Sequence, residues 1–140
     1  MRDKILFREL EHTGDLAIEV TAASAEELFA HALLAIAWLM VVPDNIEARE
    51  RRVIRFPGRA DDETMHELLS RALRIFLIDN FIWCESEVSL QEPCIMATLA
   101  GERFDPARHQ LLEEIKAVTY HRLVVNHTDD GWRGVVVFDA

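Results

Sequence analysis

Leu28, Phe29, Ala32, Leu33, Ile36, Leu39 and Met40 recur at intervals of three and four residues, a spacing that lays one wide apolar stripe along a helix. Such a helix has to bury its stripe against another element. Ser24 followed by Glu27 supplies a capping box at its start, each side chain satisfying an otherwise unpaired backbone N–H, and Pro43 stops its continuation. A second stripe, Met65, Leu68, Leu69, Ala72, Leu73, Phe76 and Leu77, predicts another helix, capped by Asp61 or Asp62 and ending near Asn80. Elsewhere the period is that of strands. Residues 5–10 form a short stretch that is apolar at both ends, and Leu16, Ile18 and Val20 alternate with Ala17, Glu19 and Thr21. Residues 46–56 read as an edge-like strand before the turn at Pro57-Gly58, and residues 82–90, 95–102 and 115–125 are three further β blocks. Thr128-Asp129-Asp130-Gly131 has hairpin turn chemistry ahead of an apolar strand over 132–138. No repeat, low-complexity tract or Gly/Ser linker interrupts the chain. The expectation is an α+β, two-layer domain over residues 1–140, with two helices packed on a mostly antiparallel β-sheet.

Composition narrows the function classes. With 50% hydrophobic residues and a mean hydropathy of +0.02, the 140 residues supply enough apolar surface for a core. Acidic residues outnumber basic ones 25 to 15, for a net charge of −10, and such a surface repels phosphate backbones. Strong direct nucleic-acid binding is not expected, so a role in RNA chemistry would run through a more basic partner. The first nine residues carry charges where a signal peptide needs an unbroken apolar stretch. The longest apolar run, 32–42, falls short of the roughly 20 residues that span a bilayer, so no membrane segment is expected. Cys84 and Cys94 stand in no metal-ligand spacing, which suits reduced, packed thiols in a cytoplasmic protein.

Three polar features could carry chemistry. Glu11-His12-Thr13-Gly14-Asp15 sets an imidazole, a hydroxyl and two carboxylates between two strands, an oxygen-rich group that invites Ca2+, Mg2+ or Mn2+ rather than zinc. Taken alone, the loop is better explained by Thr13 and Asp15 bonding their own backbone. Asp139 ends the apolar strand Val135-Val136-Val137-Phe138, beside Ala140, so two anions meet there and call for a cation, a donor or water. If that strand lies beside the one beginning at Leu16, Asp139 and Asp15 could share the cation; a solvated strand end is the bland alternative. In Glu114-Ile115-Lys116-Ala117-Val118-Thr119-Tyr120-His121, alternation puts Lys116, Val118, Tyr120 and Arg122 on one face and Ile115, Ala117, Thr119 and His121 on the other. Lys116 could face a carboxylate, partner or phosphate and His121 could be a ligand or proton carrier, though on spacing alone a solvated lysine and a packed histidine suffice. No nucleophile–base pair and no phosphate-binding glycine loop is evident. No catalytic residue is assigned, and a self-contained nucleotide-using enzyme is disfavoured.

In this order, Glu11 to Val20, Ser24 to Met40, Glu114 to His121, Asp129-Asp130-Gly131-Trp132 and Val137-Phe138-Asp139, the motifs resemble the archease family across essentially the whole chain. The resemblance implies a protein cofactor, not an enzyme, that acts with the GTP-dependent tRNA-splicing RNA ligase. It implies promotion of guanylylation of the ligase histidine and support of multiple turnover. It also implies a divalent cation, assigned as calcium in the family, held at Asp15, Asp139 and Ala140, with Lys116 implicated in ligase activation and His12 in the same motif as Asp15. Gly14 stands where an alanine is more usual, and Ala140 replaces a larger apolar residue. From another class, the alternative is a chaperone-like protein-binding module that uses apolar surface. A metal-dependent hydrolase using His12 and Asp15 is a third reading, without an evident substrate pocket.

Overall fold

The computed structural model describes the main chain of residues 7–10 and the whole of residues 16–140. Ten elements other than a short 3-10 turn follow one another: β1 (Phe7–Leu10), β2 (Leu16–Ala22), α1 (Ala25–Met40), β3 (Glu50–Pro57), α2 (Asp62–Asp79), β4 (Phe81–Gln91), β5 (Cys94–Arg103), β6 (Ala117–Val118), β7 (Val124–Thr128) and β8 (Gly131–Asp139). The α+β class is as expected from the sequence, with one refinement: the strands form two antiparallel sheets. One runs β1-β2-β8-β6, with β7 also paired to β8, and the other runs β3-β5-β4.

Both helices start where the sequence indicates. Ser24 Oγ accepts the Glu27 N–H at 3.1 Å, and Asp61, not Asp62, accepts from the Thr64 N–H at 2.9 Å. Asp62 instead accepts the Val125 N–H at 2.7 Å, which ties α2 to β7. Replacing Ser24 by alanine is expected to cost about 1 kcal/mol in chemical denaturation, through the loss of that cap. Asn80 ends α2 in the left-handed conformation at φ 58°, where asparagine is tolerated.

Helix α1 is buried on more than the predicted stripe, since Ala35, Ala37 and Trp38 are also inside. The reason is its position: it packs against β2 and β8 of one sheet and β4 of the other, so small residues are needed on its flanks. Trp83, fully buried, donates its indole N–H to the Leu33 carbonyl at 2.8 Å, and Ser86 Oγ donates to the Ala30 carbonyl at 2.7 Å. These bonds fix α1 over β4. Cys84 and Cys94 are free thiols, both half-buried.

One expectation fails. The block 115–125 is not a continuous strand, because only Ala117 and Val118 pair with β8 before the chain turns through Arg122 at φ 56° and enters β7. Alternation fails with it: Ile115 and Val118 are both buried, whereas Lys116, Ala117 and Tyr120 are exposed. The Thr119 N–H and Oγ both donate to the Val137 carbonyl, at 3.0 and 2.9 Å. The hydroxyl adds a second donor to the carbonyl that the Thr119 N–H already uses, at the point where the chain leaves the edge of β8.

Candidate functional site

Strand β8 gathers the polar features that lie among the described residues. It is buried through Val136, Val137 and Phe138 and then emerges at the exposed pair Asp139 and Ala140. The Lys116 N–H donates to the Asp139 carbonyl at 2.7 Å, and Ala117 is the register partner of Asp139. The Lys116–Val118 segment and the end of β8 are thus locked together through the main chain. Ile115, 2% exposed, anchors that segment in the core, while the neighbouring Lys116 side chain points into solvent with no ion pair among the described residues. On the opposite edge of β8, Leu16 pairs with Phe138. Asp15 and His12, the other two expected site residues, lie outside the described residues.

The Tyr120 side chain turns to α2 instead. The Tyr120 ring stacks on His66 at 3.8 Å between centroids, and His66 Nε2 lies 2.9 Å from the Val118 carbonyl. The His121 N–H donates to Thr119 Oγ1 at 3.2 Å, so the turn after β6 is fastened locally.

A second polar cluster was not expected from the sequence. Glu102, 5% exposed at the end of β5, accepts two hydrogen bonds from the Arg108 guanidinium at 2.8 and 3.0 Å and one from the Glu47 N–H at 2.7 Å. A further bond comes from buried His109, with Nε2 at 3.1 Å. Because His109 Nδ1 accepts the Asp105 N–H at 2.9 Å, the ring proton must sit on Nε2, which therefore donates to Glu102. The Arg108 bonds, with the Glu47 and His109 donors, outweigh burial and hold the Glu102 carboxyl down at about 2. The cluster secures the loop after β5. Beyond that loop, Val42 donates to the Gln110 carbonyl, Leu112 to Met40 and Glu113 to Leu39, which leads the chain along the end of α1 to Ile115 and Lys116.

Glu102→Ala is expected to destabilise the fold by about 3 kcal/mol, chiefly because the buried His109 Nε2–H is left without an acceptor and the Arg108 and Glu47 N–H bonds are lost. With the folded carboxyl titrating near 2 against 4.5 for an ordinary glutamate, its stabilisation is complete above pH 4.5 and is lost as pH falls toward 2. Acid titration of stability should therefore be steeper between those values for the native chain than for the variant. A sequence signal existed: an acidic residue ends an otherwise apolar strand, with Arg108-His109 shortly after it.

Among the described residues no group of three His, Cys, Asp or Glu side chains is placed to hold a metal ion. What β8 does offer is the Asp139 carboxylate and the oxygens of Ala140, hard donors of the kind that Ca2+, Mg2+ and Mn2+ prefer.

These features define a small acidic α+β protein with two sheets and a polar strand end, a class in which no helix among the described residues is long and apolar enough to cross a membrane. The model of the Archease protein family (MTH1598/TM1083) matches residues 7–140, and the chain belongs to that family. Among proteins named protein archease, that of Methanopyrus kandleri is 31% identical over 137 residues, covering 95% of this chain and 98% of the relative. That of Pyrococcus abyssi is 29% identical over 134 residues, covering 92% and 94%. Two solved structures share the fold. The solution structure of Methanobacterium thermoautotrophicum protein 1598 superposes with a TM-score of 0.78 at 23% identity, covering 96% of this chain and 98% of the other. The crystal structure of a Thermotoga maritima archease, described as a possible chaperone, superposes with a TM-score of 0.68 at 21% identity, covering 95% and 96%.

Proposed function

We propose that this chain is a protein cofactor, not an enzyme, that activates a GTP-dependent RNA ligase of tRNA splicing or RNA repair in the cytoplasm. In this reading it acts as one domain over residues 1–140, promoting guanylylation of the ligase histidine and multiple turnover through a metal-bearing acidic tip. The observation that carries it is the main-chain bond between Lys116 and Asp139, which brings two widely separated motifs of the family to one place. Register supports the third motif: Leu16, which follows Asp15 in the sequence, pairs with Phe138, which precedes Asp139.

Asp15, Asp139 and Ala140 would hold the cation. Their carboxylate and main-chain oxygens suit Ca2+ first, with Mg2+ or Mn2+ as the other hard cations. When bound, the ion would supply positive charge and oxygen coordination to phosphate groups in the ligase site. The chain's own residues orient and dock: Ile115 holds its segment in the core, Lys116 presents an exposed ammonium to the ligase, and His12 shares the loop of Asp15. The net charge of −10 would steer the tip toward a basic RNA-binding partner and keep this chain from gripping RNA itself, so association should slow as salt rises. The direct test is guanylylation of purified ligase with GTP, with and without this protein; a rate that does not change on adding it contradicts the proposal.

Four exposed apolar side chains, Leu77, Ile78, Leu111 and Leu112, favour a second reading, a chaperone-like module that shields a client protein. Client protection that persists in Asp15→Asn and Asp139→Asn proteins, without any ligase effect, would select it.

A further inference from the structure

The segment that presents Lys116 also forms one side of a mostly apolar cavity of about 450 Å3. Phe76 and Leu77 of α2, Phe104 after β5, and Leu111, Ile115 and Lys116 line it. Its walls are preformed. Phe76 and Phe104 meet edge to face at 5.6 Å, and Asn80 is bonded to Phe104 twice, accepting its N–H at 2.7 Å and donating from Nδ2 to its carbonyl at 3.1 Å. Ile115 is buried, whereas Leu77 and Leu111 are 54% and 44% exposed. Ile78 and Leu112, next to them in the chain, are 74% and 48% exposed. Two of the seven large apolar side chains exposed among the described residues, Leu77 and Leu111, thus line this one opening.

Charge narrows what can fill it. Asn80 Nδ2 is bonded to the Phe104 carbonyl, and the charged groups at the cavity are the exposed side chains of Lys116 and Glu114. Lys116 is the only cation lining it and has no ion pair among the described residues. We propose that the cavity is a docking pocket for the ligase, taking one large aliphatic or aromatic side chain of that partner with a carboxylate near enough to pair with Lys116. This rests on the ligase reading given above and adds a second contact to it. The Lys116–Asp139 bond makes pocket and acidic tip parts of one rigid unit, so a partner that reaches one meets the other. Burying an apolar anchor supplies affinity, and the lysine fixes its direction.

The test measures the affinity of purified ligase for the native chain and for the Leu77→Asp, Leu111→Asp, Lys116→Glu and Val53→Asp variants. Val53 is 60% exposed on β3, away from the pocket, and serves as the control for a new surface carboxylate. Both leucines are exposed enough that folding should survive, which a melting curve checks. The expected result is roughly tenfold weaker ligase binding or more for each of the three pocket variants, with ligase binding unchanged in Val53→Asp and Ca2+ affinity unchanged in the two leucine variants. Native-like binding by Leu77→Asp and Leu111→Asp, or an equal loss in Val53→Asp, overturns the pocket while leaving the ligase reading intact. No binding by the native chain removes the ligase reading and the pocket with it. Self-association of the native chain that Leu77→Asp abolishes, seen by sedimentation, would assign the pocket to a second copy and also overturn the proposal.

Discussion

Gly101→Ala should unfold at a temperature roughly 10 °C lower than the native chain, although it adds one methyl group. Gly101 lies in β5 opposite Trp83, at the irregularity where the register with β4 shifts between Trp83 and Glu85. A Cβ there would collide with the Ile82 carbonyl oxygen and lie 2.5 Å from Trp83 Cα, both of them main chain. No rotamer change relieves a clash with backbone. The strands would have to part, which disturbs the fully buried Trp83 and its bond to Leu33, the contact that seats α1 on the sheet. Overpacking and the loss of ladder bonds together put the cost at about 3–5 kcal/mol. Gly134→Ala is the comparison. Its Cβ would meet Val124 O at 3.4 Å and Leu28 Cδ2 at 3.6 Å, ordinary contact distances, so its midpoint should stay within a few degrees. Equal losses in the two variants would contradict the role given to the close approach at Gly101.

The helices were legible because their information is local. Both stripes, the caps Ser24 and Asp61 and the stop at Asn80 lie within a few turns of one another, and the structure has them, save that Leu77 at the end of the second stripe is exposed. The hairpin was legible for the same reason: Gly131, at φ 129°, opens β8 where turn chemistry demanded it. Strand partnership was not. Whether β3 joins β5 or β8 depends on pairings across tens of residues, so one sheet was expected and two are present. The break after Val118 was hidden because it depends on a turn through Arg122 at positive φ, a residue type that does not announce that conformation, and no periodicity reports it.

The candidate site divides the same way. The motifs named Asp139, Ala140 and Lys116 in advance, and the main-chain bond between Lys116 and Asp139 brings them together. The Glu102 cluster escaped because its members, Glu47, Glu102, Arg108 and His109, come from three parts of the chain that no motif links. It belongs in the functional account all the same, since it holds the loop that leads to Ile115 and Lys116.

The second large effect concerns the acidic tip. An amide in place of a carboxylate keeps the size and shape of the side chain and removes the anionic oxygens that a hard cation requires. Asp139 is exposed, so Asp139→Asn should leave the melting temperature nearly unchanged. If Asp15, Asp139 and Ala140 hold the ion and present it to the ligase, activation should fail although the fold survives. The decisive measurement is the rate of ligase guanylylation with GTP in the presence of the native chain, Asp15→Asn or Asp139→Asn, each first titrated with Ca2+. The account predicts that both variants bind Ca2+ at least tenfold more weakly and lose most of the stimulation, a change on the order of 1.4 kcal/mol or more. Undiminished stimulation by correctly folded variants would contradict it.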